Sequence, residues 1–542
     1  MFEYTCHDNI YKIPCNTTHL IFGYNFNQPI NKLPNSITHL TFGHSFNQLV
    51  DNLPNSITHI YFQENFNNPI DNLPNSVTHI HFGNRFNKLV NNLPNSIIYL
   101  AFGDKFNKSV DNLPNSLKYL TFGCDFNQSI DKLPNSIIYL KLGVCFNKDI
   151  DNLPKSITHL NLGFGFNKYV DKLPNSLTHL IFGNYFNQQI DNLPNSIIYL
   201  KFGNMFNQKI NNLPKSLKHL YFGDNFNQSV DNLPNSLVNL HFGSYFNKSV
   251  NNLPHSITHL TFGNHFNKPV DDLPCSITHI IFKESYRQPI DNLPNSLTHL
   301  QLECCYNHPI DKLPNSLTHL TFNSHCMIEQ DIVFFGEHQN QTLNYLPNSL
   351  THLILDDNFN KPVDFLPNSL KYLKFGQNFN QPVECLPNSI THLFFGENFN
   401  QSIDNLPCSI THLTLGINFN KSIDNLPNSI IHLTLGYKFN NSIDKVLSFV
   451  KIFNMTIYLF DANKEKLQNK IVMFNLYSNY YYKFGNFLVT DTFDRLKQIL
   501  ELQYFVHEIL FKKLIEYIFN PQRLSRIVEK YNLTIDEYID FL

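Results

Sequence analysis

From about Ile13 to Asp444 the chain repeats itself every twenty residues, and this period limits the possible folds more than any other property of the sequence. Twenty-one copies are present, a typical one running from Asp51 to Ile70 as DNLPNSITHIYFQENFNNPI. They are numbered here as rungs 1 to 21 by their proline, from Pro14 to Pro427. A period of this length marks a solenoid, in which each copy is one supersecondary unit that buries its apolar face only against its neighbours. A chain of 542 residues would ordinarily divide into about three or four domains, but stacked copies share one continuous core.

The rung from Asn31 to Val50, NKLPNSITHLTFGHSFNQLV, serves as the template. Its apolar positions are Leu33, Ile37, Leu40, Phe42, Phe46 and Val50. Leu40 and Phe42 alternate with His39 and Thr41, the period of two expected of a strand with one buried face, so a short strand is expected over Thr38 to Phe42. Pro34, which recurs in every copy, has no amide hydrogen and a fixed φ, and it keeps the approach to the strand from becoming helical. Gly43 ends the strand, as suits a tight bend or a close approach of backbones. Sixteen copies carry Gly there and Gln63, Lys283, Glu303, Asn323 and Asp356 replace it, which argues against an obligatory positive φ. The expected architecture is mainly β: a solenoid with one long parallel sheet and turn-like return segments. Asn35 and Asn47 recur in most copies and are expected to form hydrogen-bond ladders from rung to rung.

Composition narrows the function classes. The formal net charge of −3 implies no general attraction to nucleic acid or to an anionic membrane. The first residues, MFEYTCHDN, lack the basic and apolar regions of a secretory signal, and no apolar run reaches the roughly 18 residues that span a bilayer. The ten cysteines show neither ordered spacing nor a CxxC pair, so reduced thiols in a cytosolic or nuclear compartment are expected rather than a disulfide framework or a zinc site.

The columns LPxS(I/L)xxLxF resemble a leucine-rich repeat of the shortest, Leu-Pro-containing type. The chain is more closely similar to the FNIP repeat family, named for a Phe-Asn-x-Pro segment. That segment stands here as Phe26-Asn27-Gln28-Pro29, Phe66-Asn67-Asn68-Pro69, Phe266-Asn267-Lys268-Pro269, Phe359-Asn360-Lys361-Pro362 and Phe379-Asn380-Gln381-Pro382. The resemblance covers about four-fifths of the chain. It implies a leucine-rich-repeat-like solenoid of the kind found in amoebae and in the giant viruses that infect them, acting in the cytoplasm, the host's if viral. Copies in that family often follow an N-terminal F-box, which suggests substrate adaptors for ubiquitin ligases. Here twelve residues precede Ile13, too few for that module.

The residues themselves point to binding rather than catalysis. No Gly-rich phosphate loop, GxSxG elbow or HExxH helix is present, and no catalytic residue or cofactor is expected. The column headed by His39 holds His in fifteen copies, Tyr in five and Asn239 in one, and it points away from the core. The Tyr replacements argue against a metal and for a stacked, hydrogen-bonded aromatic row, whose protonated rings would repel each other. The next outward column changes at every rung, through Thr41, Tyr61, His81, Ala101, Thr121 and Lys141 onward. Variation on a constant frame suits a recognition surface, although a drifted surface would look the same. The candidate binding surface is His39, Thr41, His59, Tyr61, His79, His81, Tyr139, Lys141, Tyr199 and Lys201, and the expected partner is a protein. A purely structural array is the alternative. Asp fills the column of Asp51 in fourteen copies, but the glycine-rich turns of calcium-binding repeats are missing, so a solvated turn residue balanced by nearby Lys is expected.

The period breaks twice. Between Pro314 and Pro347 an insertion lies within 327–345, and it offers a candidate binding loop at Phe334, Phe335, Glu337 and His338. After Asp444 the repeat decays: 446–454 resembles half a copy, and 491–519 carries apolar residues at helical spacing. Asn520-Pro521 and Thr534-Ile535-Asp536-Glu537 then announce two further helices. The expected division is an N-terminal cap over 1–12, the solenoid over 13–444, and a C-terminal cap with a small mainly α domain over 445–542.

Overall fold

A computed structural model of the chain describes residues 3–6, 10–303, 306, 308–323, 343–463, 465–467, 471–474 and 487–489. Each copy contributes one short strand, from β2 (His19–Phe22) in rung 1 to β22 (His432–Thr434) in rung 21. The typical strand has three residues, as in β3 (His39–Thr41) and β4 (His59–Tyr61), and the middle one is buried. The molecule divides into two compact units, Met1–Ser349 and Leu350–Leu542.

In the first unit, β1 (Glu3–Cys6) pairs in parallel with β2, and the strands continue in parallel to β17 (His319–Asn323). The register is one rung to the next without slippage: His39 lies opposite His59, Leu40 opposite Ile60 and Thr41 opposite Tyr61. Identical columns enforce this register, because a shift by one residue would turn the leucine column to solvent. In the second unit, β18 (His352–Ile354) begins the same parallel arrangement. The sheet continues past β22 into β23 (Ile452–Met455) and β24 (Ile471–Phe474), and β25 (Phe487–Val489) then pairs antiparallel to β24.

The core is a double file of aromatic rings. Phe42 and Phe46 of one rung stack at 4.1 Å between centroids, and Phe46 stacks on Phe66 of the next rung at 6.1 Å. These rings and Ile37 and Leu40 beside them are fully buried. At roughly 1.5–3 kcal/mol for each buried apolar side chain, this file is the main favourable term in stacking.

The glycine column owes its composition to close approach. A Cβ on Gly43 would lie 2.0 Å from the carbonyl oxygen of Gly23, and one on Gly203 would lie 2.1 Å from that of Gly183. Backbones of successive rungs therefore meet where only hydrogen fits. No left-handed φ is involved at these glycines.

Polar ladders tie the return segments together. The Asn47 column acts as expected: Asn27 Oδ1 accepts the backbone N–H of Asn47 at 2.9 Å, and Asn47 Oδ1 accepts that of Asn67 at 2.9 Å. The Asn35 column does not. It is exposed, and among the described residues only Asn195 Oδ1 accepts from the next rung, from the N–H of Lys215 at 3.1 Å. The serine one residue further on takes that task. Ser36 Oγ donates to the carbonyl of Thr17, Ser56 Oγ to that of Ile37, and the pattern persists to Ser429.

The C-terminal region departs from expectation. A small mainly α domain over 445–542 is not supported: the described residues there hold three strands, one 3-10 turn (Val446–Ser448) and one seven-residue helix, α1 (Ile457–Asn463). The physical reason lies in 452–455, where Ile452, Phe453 and Met455 are all buried and the segment extends the parallel sheet. Thr456 Oγ1 accepts the N–H of Leu459 at 3.3 Å and so caps the start of α1. The helices expected over 491–519, after Asn520-Pro521 and from Thr534 lie outside the described residues.

Candidate binding surface

Strand alternation brings two side chains of each rung to the outer face of the sheet. The first column forms stacked imidazole runs. His19, His39, His59 and His79 follow each other at 4.2 Å between ring centroids with planes within 12°. His259, His279, His299 and His319 form a second run at 4.1 Å. Tyrosines interrupt the runs and open the spacing, as between His79 and Tyr99 at 5.8 Å.

In these two runs the preceding threonine orients the ring. Thr38 Oγ1 lies 2.9 Å from His39 Nδ1 and donates to the Thr18 carbonyl at 3.2 Å. A hydroxyl that gives its proton to a carbonyl accepts from Nδ1–H, which leaves Nε2 as the acceptor nitrogen of the ring. Burial, followed by repulsion from the neighbouring imidazoles, holds His59 and His279 down to about 4. Burial and the flanking His19 and His79 lower His39 as well. His59 and His279 are therefore neutral at pH 7. Among the described residues no group of three or more His, Cys, Asp or Glu is arranged to hold a metal ion.

The second column varies in exposure as well as identity. Tyr61, His81, Lys141 and Lys201 are exposed, Thr41 is half-buried and Ala101 is buried. In rungs 2 to 4 this column borders a shallow, open groove of about 550 Å³, lined by Thr41, Tyr61 and His81 and, from the turn after each strand, His44, Gln63, Glu64 and Asn84. Tyr61 and His81 stand 6.3 Å apart between ring centroids. Partial desolvation in the groove depresses the His81 imidazole, although much of the residue is solvent-exposed.

Of the sequence-derived candidates, six come together on rungs 2 to 4: His39, Thr41, His59, Tyr61, His79 and His81. Tyr139 and Lys141 lie on rung 7 and Tyr199 and Lys201 on rung 10, so these pairs lie outside the groove. Tyr199 meets Tyr221 at 5.3 Å and forms a second aromatic point on the same face. Phe334, Phe335, Glu337 and His338 lie outside the described residues. Sequence reasoning missed His44, Gln63, Glu64 and Asn84. The available signal was Gln63, the one break in the glycine column among the first thirteen rungs.

The aspartate column pairs with the neighbouring rung. Lys172 Nζ meets Asp151 at 2.7 Å and Lys312 meets Asp291 at 3.0 Å, while elsewhere Asn takes the lysine's place, as Asn92 does on Asp71 at 3.1 Å.

Fold and surface together define a leucine-rich-repeat-like solenoid that displays varied side chains on a constant parallel sheet. The model of the FNIP Repeat matches in fourteen segments that together cover residues 10–305 and 339–438, and the chain belongs to this family. Among solved structures it is similar to CroV588, described as a novel circular LRR protein, at 43% identity and a TM-score of 0.70, over 84% of this chain and 78% of that one. YopM from Yersinia enterocolitica matches at 16% identity and a TM-score of 0.35, over 80% of this chain and 87% of that one. The mouse RP105/MD-1 complex matches at 12% identity and 0.45, over 84% of this chain and 85% of that one. No curated protein matches the chain. No helix among the described residues is long and apolar enough to cross a membrane.

Proposed function

We propose that the chain is a non-enzymatic interaction scaffold that binds a protein partner through the outer face of its sheet, with rungs 2 to 4 as the principal contact. The observation that carries this reading is the groove beside Tyr61 and His81, where exposed aromatic side chains rise from a frame held rigid by the Phe, Ser and Asn ladders. Tyr is a preferred anchor of protein interfaces, since it offers a large amphipathic surface with few torsions to freeze. The reading carries with it a division into an N-terminal cap (1–12), a solenoid (13–444) and a C-terminal cap (445–542). Five exposed free cysteines, Cys15, Cys145, Cys275, Cys385 and Cys408, favour a reducing, cytoplasmic setting.

The test is capture from host-cell extract on the immobilised full chain, compared with the double variant Tyr61→Ala, His81→Ala. Both positions are exposed, so the melting temperature should hold while affinity for the captured protein falls about 30-fold or more. Undiminished capture by the double variant defeats the assignment to rungs 2 to 4.

A further inference from the structure

Two cysteines that the binding face does not use stand on neighbouring rungs in the turn after the strand: Cys124 in rung 6 and Cys145 in rung 7, separated by twenty-one residues. The backbone N–H of Cys145 donates to the carbonyl of Cys124 at 2.8 Å, which makes the two residues direct neighbours across the stack. Other rungs show what side chains at this pair of positions do. His44 and Asn65 occupy it in rungs 2 and 3, and their nitrogens lie 3.4 Å apart. Phe164 and Tyr185 occupy it in rungs 8 and 9, and their rings meet edge to face at 5.0 Å. The repeat thus turns these two side chains toward each other. Rungs about 4.8 Å apart also lie within the roughly 4.4–6.8 Å Cα separation that a disulfide spans.

We propose that Cys124 and Cys145 form a reversible dithiol–disulfide site that staples rung 6 to rung 7, with a low-molecular-weight disulfide such as oxidised glutathione as the oxidant. Cys145, the exposed member, attacks the external disulfide as its thiolate; a new S–S bond forms on Cys145 and the first small thiolate departs. Cys124 then gives its proton to solvent and attacks the Cys145 sulfur, which expels the second small thiol. In total the two protein thiols lose two protons and two electrons, and one external disulfide gains them to become two thiols. A thiol pair of the same kind reverses the reaction.

The surroundings set the rate. Asp104 accepts a hydrogen bond from the Cys124 thiol, and burial and the charges of Asp104 and Asp125 add to that bond in holding the thiol above its ordinary range. Asp125 is itself engaged by Lys105 Nζ at 2.9 Å. Asp104 therefore guards the second step by keeping Cys124 protonated.

The full chain is incubated with oxidised glutathione at neutral pH, its remaining thiols are blocked, and the peptides are mapped by mass spectrometry. The expected product is a cross-linked peptide pair bearing Cys124 and Cys145, removed by dithiothreitol. Cys124→Ser should instead retain a stable glutathione adduct on Cys145. Asp104→Asn should speed closure in the otherwise unaltered chain several-fold at pH 7. A glutathione adduct that persists on Cys145 in the unaltered chain, or cross-links that join either residue to a different cysteine, would overturn the site. An unchanged closure rate in Asp104→Asn would overturn the role of the carboxylate.

Discussion

Rungs 8 to 13 and rungs 14 to 16 are built on the same period, yet they end their strands differently. In the former, Gly163 to Gly263 occupy the position after the buried aromatic or leucine, and each strand stops after three residues. In the latter, Lys283, Glu303 and Asn323 replace glycine, and β16 (His299–Glu303) and β17 each run to five. Their pairing extends to Glu303 opposite Asn323. At the glycine rungs the missing Cβ would point along the stack into the carbonyl of the rung before. An extended strand turns side chains perpendicular to the sheet, so a residue with a Cβ fits once the strand is prolonged. Strand lengthening accompanies the replacement in rungs 15 and 16, whereas β4 (His59–Tyr61) and β18 keep three residues although Gln63 and Asp356 stand in the glycine column, so the turns of those two rungs admit a Cβ without it.

The core file supplies the largest contrast. Phe206→Ala, in the regular stretch, should lower stability by about 3–5 kcal/mol, because the cavity opens between rings that cannot collapse across fixed rungs. In rung 14 the ring is Tyr286, only 1% exposed, and its hydroxyl has no hydrogen-bond partner among the described residues. Tyr286→Phe should therefore raise stability by about 1 kcal/mol. Urea unfolding of both variants checks the pair, and a Tyr286→Phe that destabilises would show that the hydroxyl is satisfied.

Glycine replacement should follow in size. Gly203→Ala places its Cβ 2.1 Å from a backbone oxygen and is expected to cost about 2–3 kcal/mol, whereas Asn323→Ala should cost less than about 1 kcal/mol. Equal losses at both positions would break the explanation of the glycine column.

Acid should act on the imidazole runs. The folded pKa of His279 is held near 4, below the ordinary 6.5, so the folded chain binds fewer protons than the unfolded chain between those values. The contribution of this ring to stability is then complete above about pH 6.5 and falls as the pH drops toward 4, by on the order of 1 kcal/mol after solvent screening. His279→Tyr should flatten the dependence of the melting temperature between pH 7 and pH 4. A curve unchanged by that replacement would remove the stacked ring as the cause.

The smallest effect belongs to the exposed ion pairs. Lys172→Ala breaks the contact with Asp151, but both side chains are largely solvated, and the unfolding midpoint should not move measurably. A clear loss would mean that the aspartate column is an essential tie.

Much of the fold was legible before any coordinates. The Leu40 and Phe42 alternation located the strand, the constant period fixed the parallel register, and the Asn47 column announced its ladder. Other parts were not. Asn35 looked equivalent to Asn47, but which of two neighbouring polar residues reaches the next rung depends on the path of the turn, and Ser36 is the one aimed at a carbonyl. The groove residues His44, Glu64 and Asn84 belong to the turn, whose side-chain directions follow no simple alternation. The half copy read over 446–454 was legible as such, and it joins the sheet at 452–455 because an open sheet edge accepts an extended apolar strand.

The sequence by itself determined the rung, its buried columns and the parallel order of the strands, because in a solenoid every unit meets a neighbour like itself and local pattern is also tertiary contact. Only the tertiary structure decided what meets diagonally across rungs. The glycine that lies against the preceding backbone, the Tyr61 and His81 groove, and the Cys124 and Cys145 pair all depend on the offset with which one turn settles on the next, a three-dimensional quantity that no single copy encodes.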